Sequence, residues 1–213
     1  MRMLERARIV QFHRRRIAQF GGGTLGALGW RAPASQLGRF DVIARVGDLS
    51  GSSVLDLGCG YGDLRTYLDE RFSDITYIGV DHVPEFVEEA RRRYEGSANT
   101  SFFRADFGRL ELPTVDYVVA SGAFAYGRSD PDYFTDMIAK MYRAATVGVA
   151  FNMLDADVFK PYDLLEGQDR ERILSFCRSI SPRVRLIDDY ATDDFTVFMY
   201  SAEEKTKRDG EPG

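Results

Sequence analysis

The stretch Val54-Leu55-Asp56-Leu57-Gly58-Cys59-Gly60-Tyr61-Gly62-Asp63-Leu64 joins an apolar run to three closely spaced glycines and then to an amphipathic segment. This order predicts a buried strand that turns through a glycine loop into a helix. Glycines at such a turn let the backbone approach a ligand closely. The next apolar run ends at Asp81, 19 residues after Gly62, where a carboxylate can accept hydrogen bonds from ribose hydroxyls. The pattern predicts a site for a cofactor that contains a nucleoside.

Two cofactor classes use this geometry, and the spacing of the glycines separates them. Nicotinamide dinucleotides bind through a pyrophosphate and favour the pattern Gly-x-Gly-x-x-Gly. Here the pattern is Gly-x-Gly-x-Gly, and Asp56 precedes it in the strand. S-adenosylmethionine has no phosphate but carries an ammonium group, which a carboxylate beside the loop suits. The residues therefore favour S-adenosylmethionine.

From Asp56 to Gly62 the chain resembles the first motif of the class I S-adenosylmethionine-dependent methyltransferases. Asp81 matches the ribose acid of that family, and Asp106, within Phe103-Arg104-Ala105-Asp106-Phe107, matches its adenine-side acid. The segment from Asp116 to Phe124 is similar to the fourth-strand motif of the family. The resemblance covers about residues 53–200, and the first motif is its most specific part.

The resemblance implies a role for each matching residue. The cofactor-binding residues would be Asp56, Gly58, Cys59, Gly60, Gly62, Asp81, His82, Asp106, Phe107 and Ser121. The loop backbone would contact the methionine moiety, with the Asp56 carboxylate and the Ser121 carbonyl near its ammonium group. Asp81 would hold the ribose, and His82 would flank the ribose or the adenine. Asp106 would bind the adenine amino group while Phe107 lies beside the ring.

Short apolar runs alternate with amphipathic segments from residue 53 to residue 200. Strict alternation of strand and helix predicts an α/β fold with a doubly wound, mostly parallel sheet. The last two predicted strands, 183–189 and 195–200, have no helix between them. We therefore expect one antiparallel strand in that edge region. The family resemblance implies a seven-stranded sheet with its last strand antiparallel.

The length of 213 residues predicts one domain, or one domain with an appendage. We assign residues 1–40 to a helical, glycine-rich lid, residues 41–202 to the Rossmann-like domain that binds S-adenosylmethionine, and residues 203–213 to a disordered tail.

The net charge of −5 is unevenly distributed, because the first 16 residues hold six arginines against one glutamate. The acidic remainder argues against a nucleic-acid partner. No apolar run reaches the length of a membrane span, which argues against a membrane partner. The two cysteines are too few for a disulfide framework or a zinc cluster. We expect a cytoplasmic protein that uses no metal.

The first 40 residues carry more apolar side chains than a segment that binds the phosphate backbone of a nucleic acid would need. Residues 2–19 predict a helix, residues 20–30 a flexible glycine-rich connection without regular structure, and Ser35 the N-cap of a second helix. We expect this segment to cover the cofactor cleft as a lid that excludes water. Candidate contacts to the acceptor are Phe20, Trp30, Gln36 and Arg39, and the last two could instead face the methionine carboxylate.

Methyl transfer from a sulfonium is an in-line displacement, so positioning supplies much of the acceleration. A base is needed only when the acceptor must lose a proton, and the sequence therefore nominates no catalytic residue. His13 lies among arginines and is expected on the solvated surface. Tyr126, after the fourth strand, and Asn152, at the end of the fifth, are candidate contacts to the acceptor because strand ends line the cleft.

The residues Ser121-Gly122-Ala123-Phe124 also bear on the acceptor. Enzymes that methylate the exocyclic amine of a base, or a glutamine amide, usually carry Asn/Asp-Pro-Pro-Tyr/Phe at this place. The absence of this motif favours a small-molecule acceptor that is methylated at O, N or C. Three alternatives stay open: methylation of RNA or protein with the basic helix as a docking arm, another chemistry of S-adenosylmethionine such as intramolecular cyclisation, and a non-catalytic binding module.

Overall fold

A computed structural model describes residues 3–202, and the tail predicted over residues 203–213 lies outside them. The strands are β1 (Ser53–Leu57), β2 (Thr76–Asp81), β3 (Thr100–Arg104), β4 (Val115–Ala120), β5 (Ala145–Leu154), β6 (Arg183–Ile187) and β7 (Asp194–Tyr200). The helices are α1 (Met3–Phe20), α2 (Leu25–Leu28), α3 (Pro33–Ala44), α4 (Asp63–Asp69), α5 (Pro84–Arg93), α6 (Tyr133–Ala144) and α7 (Arg170–Ile180).

The seven strands form one sheet in the order β3-β2-β1-β4-β5-β7-β6. All neighbouring pairs are parallel except those of β7, which runs antiparallel to both β5 and β6. The predicted seven-stranded, mostly parallel sheet with one antiparallel strand is confirmed. The strand order reverses between β1 and β4, and ligands bind in the crevice at the carboxyl ends of strands beside such a switch point.

Apolar side chains cover both faces of the sheet. One buried cluster joins the strands to α6 and α7, with Phe134, Ile138 and Leu174 at its centre. The second cluster joins them to α3, α4 and α5. Because successive strand residues face opposite sides, Leu55 and Leu57 pack in the first cluster while Val54 packs in the second. This two-sided burial explains the near-continuous apolar runs of the strands.

The glycine-rich connection differs from its prediction because it contains a short helix, α2. Thr24 caps its start by accepting a hydrogen bond from the Ala27 N–H at 3.2 Å. Gly29 ends it in the left-handed conformation, with φ of 98°, which favours glycine. Ser35 is also not the N-cap of the next helix, since Pro33 takes its first position and Ala32 precedes it.

Helices α1 and α2 lie together across the carboxyl edge of the sheet. The Arg16 guanidinium donates to the Gly26 carbonyl at 2.7 Å, which ties α1 to α2. Arg93 on α5 donates to the Gly23 carbonyl at 2.9 Å, and Glu5 accepts from the Ser129 hydroxyl at 2.6 Å. The first helix and the loop that follows it are thus tied to opposite sides of the crevice. No helix within residues 3–202 is long and apolar enough to cross a membrane.

The close packing of β2 against β3 predicts a stability change at Gly79. A Cβ there would lie 2.5 Å from the Phe102 ring and 2.9 Å from the Cys59 sulfur. We expect Gly79→Ala to lower the free energy of unfolding by about 1–3 kcal/mol through overpacking, measured by urea denaturation. The control is Gly38→Ala in α3, where a Cβ meets nothing within 4 Å. That change should leave stability equal or raise it by up to about 1 kcal/mol, and equal losses in both variants would contradict the packing argument.

Candidate functional site

The glycine loop between β1 and α4 is held in a conformation that requires glycine. Gly58 and Gly60 have φ values of 80° and 55°. A Cβ at Gly58 would lie 2.5 Å from the Ala123 side chain, and one at Gly60 would lie 2.8 Å from Leu28. The loop backbone therefore faces a narrow space between α2 and the segment that follows β4. Gly62, with φ of 80°, is the N-cap of α4 and does not line that space.

Asp81 ties the glycine loop to the end of β2. Its side chain is buried, and its Oδ2 accepts a hydrogen bond from the Gly60 N–H at 3.0 Å. Its Oδ1 accepts from the Val83 N–H at 2.9 Å. A carboxylate oxygen has two acceptor positions, so each oxygen retains one toward the cavity. The arrangement suits two ribose hydroxyls that donate side by side.

Asp56 lies on β1 and is 2% exposed. The Tyr77 hydroxyl donates to its Oδ2, and its Oδ1 has no hydrogen-bond partner among the described residues. Burial raises the pKa of Asp56 to about 7; the nearby Asp81 charge adds to the rise, and the Tyr77 hydrogen bond opposes it. A buried carboxylate with an unpaired oxygen is costly by itself, and a cationic ligand group would compensate it.

Two half-buried residues in this region have buried polar atoms without partners in the described chain. Both ring nitrogens of His82 and the Ser121 hydroxyl are unpaired. Burial lowers the pKa of His82, so its ring is neutral near pH 7. The Phe107 ring lies 6.4 Å from the His82 ring, between centroids, in an edge-on arrangement. A planar ligand ring with polar atoms at its edge would suit His82 and Phe107, because one offers unpaired nitrogens and the other an apolar ring.

These residues line one cavity, which we call the loop cavity. It has a volume of about 80 Å³, and its walls include Asp56, Gly58, Cys59, Gly60, Asp81, His82, Phe107 and Ser121. His82 also lines an adjoining groove under α1 that contains Asp106. The Asp106 Oδ1 accepts from the Gly108 N–H at 3.1 Å. The structure therefore brings together nine of the ten residues expected to bind the cofactor along one continuous cleft, with Gly62 behind it.

Cys59 lies in this cleft as a buried thiol. Burial raises the pKa of Cys59 well above its ordinary value, and the charges of Asp81 and Asp56 raise it further. The sulfur therefore stays protonated near neutral pH and is a poor nucleophile. Within residues 3–202, no group of three or more His, Cys, Asp or Glu side chains is arranged to hold a metal ion.

A second cavity of about 200 Å³ adjoins the first, and we call it the aromatic cavity. Its walls are mainly apolar and include Phe12, Trp30, Tyr126, Leu154, Phe159, Leu165 and Tyr190. Four residues line both cavities, namely Leu28, Trp30, Gly122 and Tyr126. A ligand in the loop cavity and one in the aromatic cavity would therefore meet at this shared wall.

His13 is 4% exposed, so the expectation of a solvated surface histidine was wrong. Its Nδ1 donates to the Ala27 carbonyl at 3.0 Å, and its Nε2 lies 2.7 Å from the Tyr126 hydroxyl. Burial lowers the pKa of His13, so the ring is neutral and its Nε2 accepts the hydrogen bond from Tyr126. The missed signal was the helical spacing, since His13 lies four residues after the buried Ile9 and beside the buried Phe12.

The structure places three of the four candidate lid residues at the cavities. Gln36 is buried beside the loop cavity and donates to the Asp63 Oδ2 at 3.1 Å. Arg39 lines the aromatic cavity, forms an ion pair with the buried Asp194, and lies 4.9 Å from the Trp30 ring centroid. Gln36 and Arg39 therefore both lie at the cavities, as a contact to a ligand requires.

Phe20 and Asn152 lie outside both cavities. Phe20 is 44% exposed, with the Arg16 guanidinium 4.9 Å from its ring centroid. Asn152 is 1% exposed, and its Oδ1 accepts from the Gly122 N–H at 2.8 Å. Asn152 therefore acts on the shared wall from behind, by fixing the turn at Gly122 where φ is 72°. Neither residue is placed to touch a ligand in this structure.

Comparison with known proteins connects this geometry to a family. The methyltransferase domain family matches residues 54–148, which contain the glycine loop, Asp81 and Asp106. The Mycobacterium tuberculosis protein named "Putative methyltransferase Rv1506c" is 35% identical over 158 residues, which cover 70% of this chain and 93% of that protein. The demethylmenaquinone methyltransferase of Deinococcus radiodurans is 31% identical over 129 residues, 60% of this chain and 49% of that protein. The chain thus spans about half the length of this second relative.

Among solved structures, the magnesium protoporphyrin IX methyltransferase of Synechocystis PCC 6803 with bound S-adenosylmethionine has the same fold. The TM-score is 0.67 at 18% identity, over 93% of this chain and 97% of that one. The fold agrees with the relationship that the 35% identical relative shows over nearly its whole length. The glycine loop, the two acids and the unpaired buried atoms fit S-adenosylmethionine. The chain belongs to the class I S-adenosylmethionine-dependent methyltransferases.

Proposed function

We propose that this enzyme transfers the methyl group to a small, largely apolar molecule that binds in the aromatic cavity. The observation that carries this proposal is the wall that the two cavities share at Leu28, Trp30, Gly122 and Tyr126. Methyl transfer requires the donor and the acceptor atom about 3 Å apart and in line with the breaking bond. Two adjoining cavities at the carboxyl edge of the sheet would allow that arrangement.

The residues of the loop cavity would hold the methyl donor by its polar groups. Asp81 would bind the ribose hydroxyls, and the unpaired Asp56 Oδ1 would face the ammonium group. His82, Phe107 and the adjoining Asp106 would surround the adenine. Bound S-adenosylmethionine supplies a methyl group activated by the positive sulfur.

The aromatic cavity favours a small acceptor over a macromolecule. Phe12, Trp30 and Phe159 present apolar surface, which suits a ring or an alkyl group more than a charged polymer. One of the relatives, the demethylmenaquinone methyltransferase of Deinococcus radiodurans, is named for a small-molecule acceptor, which supports the same class.

The arginines of α1 are partly used within the fold, which weighs against an arm that docks RNA. Arg14 forms an ion pair with Glu85 at 2.6 Å. Arg16 donates to the Gly26 carbonyl and stacks on Phe12 and Phe20. A residue committed to internal partners contributes less to a phosphate-binding surface.

Residues 1–40 are proposed to act as the lid of a domain formed by residues 41–202. Ile9 and His13 from α1, Leu28 from α2 and Gln36 from α3 line the loop cavity. These helices would have to move for a ligand to enter, and their return would exclude water from the reacting groups.

The test of the function is an acceptor screen, with formation of S-adenosylhomocysteine as the readout and Phe159→Ala as the diagnostic variant. Phe159 lines only the aromatic cavity. Its loss should raise the acceptor KM about tenfold or more by removing apolar contact, without changing the Kd for S-adenosylhomocysteine. The matched control is Tyr162→Ala, an aromatic residue three positions away that is 66% exposed and outside the cavity. A changed cofactor Kd with an unchanged acceptor KM would contradict this placement.

Asp81→Ala should weaken the binding of S-adenosylhomocysteine about 10- to 100-fold, because two hydrogen bonds to a charged acceptor are lost. Asp81→Asn should be intermediate. Calorimetry gives the Kd, and a thermal melt of each variant checks that the loop, which Asp81 also holds through Gly60, is still folded. Asp136→Ala, at an exposed carboxylate on α6, is the control and should bind normally. An unchanged Kd in a folded Asp81→Ala variant would remove Asp81 from the site.

The raised pKa of Asp56 predicts that cofactor binding depends on pH. Below about pH 7 the carboxyl group is protonated, and a cationic ligand must displace that proton to bind. Affinity for S-adenosylhomocysteine should therefore increase several-fold between about pH 6 and pH 8, with proton release visible by calorimetry in buffers of different ionisation enthalpy. Asp56→Asn should abolish the pH dependence. Tyr77→Phe should shift it to higher pH, because the hydrogen bond that lowers the Asp56 pKa is lost. A flat profile in the unaltered enzyme would contradict the assignment.

A further inference from the structure

Tyr126 occupies the place where the two cavities meet, and among the four residues of the shared wall it alone carries a titratable group. The other three are Leu28, Trp30 and Gly122. We infer that Tyr126 and His13 form a proton relay that removes the proton from the hydroxyl group of an aromatic acceptor as the methyl group is transferred. This inference rests on the proposed function and names the chemical class of the acceptor.

The relay is already assembled in the structure. The Tyr126 hydroxyl donates to the His13 Nε2 at 2.7 Å, and the His13 Nδ1 donates to the Ala27 carbonyl at 3.0 Å. Ala27 lies in the last turn of α2, where helix carbonyls have no partner within the helix. The carbonyl thereby fixes the tautomer of the ring, with its basic nitrogen toward Tyr126.

Tyr126 is held from the other side by its backbone. The Gly127 N–H donates to the Leu164 carbonyl at 2.9 Å, and the Glu166 N–H donates to the Ala125 carbonyl at 2.9 Å. These two bonds flank Tyr126 and join its loop to the segment that carries Phe159 and Leu165. The hydroxyl is therefore fixed relative to both cavities, and its oxygen can still accept a hydrogen bond from an acceptor hydroxyl.

The proposed step balances in atoms and charge. The acceptor oxygen forms its bond to the methyl carbon while the carbon–sulfur bond breaks, and that electron pair stays on sulfur. The acceptor proton passes to the Tyr126 oxygen, and the Tyr126 proton passes to the His13 Nε2. The products are the methyl ether, neutral tyrosine, S-adenosylhomocysteine and the His13 imidazolium. The positive charge that leaves sulfur is thus taken up by His13.

The surroundings of His13 act on the imidazolium in both directions. Burial disfavours the imidazolium, the hydrogen bond to the Ala27 carbonyl and the Asp81 charge at the end of β2 favour it, and the charges of His82 and of Arg16 on α1 oppose it. Phe86 on α5 packs edge-on at 4.8 Å between ring centroids, and Arg128 is the charged group nearest along the Tyr126 loop. Burial keeps the pKa of His13 below its ordinary value of 6.5, so the ring is free to accept a proton at pH 7. Tyr126 touches the acceptor in this scheme, and His13 is a positioning residue that acts through it.

The test compares phenol with 4-nitrophenol as methyl acceptors of the full-length enzyme at pH 8. Phenol keeps its proton at this pH, since its pKa is about 10, whereas 4-nitrophenol is ionised and needs no base. Tyr126→Phe removes the relay hydroxyl. His13→Gln keeps a hydrogen-bonding group near Tyr126 but cannot accept a proton.

Both variants should lower kcat for phenol by about 10²- to 10⁴-fold and change kcat for 4-nitrophenol by only a few-fold. Their phenol rates should rise tenfold per pH unit toward pH 10, whereas the unaltered enzyme should be flat above pH 7 and lose rate only as His13 is protonated. The control is Tyr190→Phe. Tyr190 lines the same cavity, but its hydroxyl is hydrogen-bonded to Asp194 and Thr196 instead of to His13. Any loss in this control should be equal for the two phenols.

Three results would overturn the relay. Equal losses for both phenols in Tyr126→Phe and His13→Gln would assign the pair a purely structural role. No loss in either variant would remove it from the reaction. An unaltered enzyme that binds S-adenosylmethionine by calorimetry but methylates neither phenol would reject the aromatic hydroxyl as the acceptor class. That last result leaves the proposed function standing, since only failure of the wider acceptor screen would refute it.

Discussion

The Asp81 carboxylate, buried at the end of β2, is the contact on which the rest of the site depends. By accepting the N–H groups of Gly60 and Val83 it holds the glycine loop against the start of α5. An ionised buried group must have such partners, and backbone N–H groups provide them at fixed positions. Glycine stands at 58 and 60 of this loop because both positions have positive φ and a Cβ there would collide with Ala123 or Leu28.

Several buried polar groups near this contact are left incompletely paired by the protein itself. The free oxygen of Asp56, both nitrogens of His82 and the hydroxyl of Ser121 all belong to the walls of one cavity. Such groups cost stability when they are isolated from water, and folded proteins retain few of them. Their concentration in the loop cavity fits the proposed cofactor site, where bound S-adenosylmethionine would bring hydroxyl, amino and ammonium groups to the same place.

The N-terminal helices complete the site instead of merely covering it. His13 comes from α1, its partner carbonyl from α2, and the hydroxyl it binds from the segment after β4. Three elements that are distant in sequence thus converge on the boundary between the two cavities. If these helices act as the proposed lid, its closure would also assemble the polar groups at the shared wall, so that the reactive arrangement would form only when water is excluded.

The sheet, the glycine loop and the acids of the loop cavity were predictable from the sequence, because those features depend on local patterns of apolar residues, glycine and carboxylates. Prediction from the sequence failed for residues whose position depends on partners far away in the chain. The helix α2 forms in a glycine-rich segment since Thr24 and Gly29 cap it and Arg16 and Arg93 hold it in place. His13 is buried although arginines surround it in the sequence, because its ring contacts Ala27 and Tyr126. Asn152 lines neither cavity, and its amide oxygen accepts a hydrogen bond from Gly122. Only the tertiary structure decides such positions, since hydrogen bonds between residues far apart in sequence leave no periodic signal in the chain.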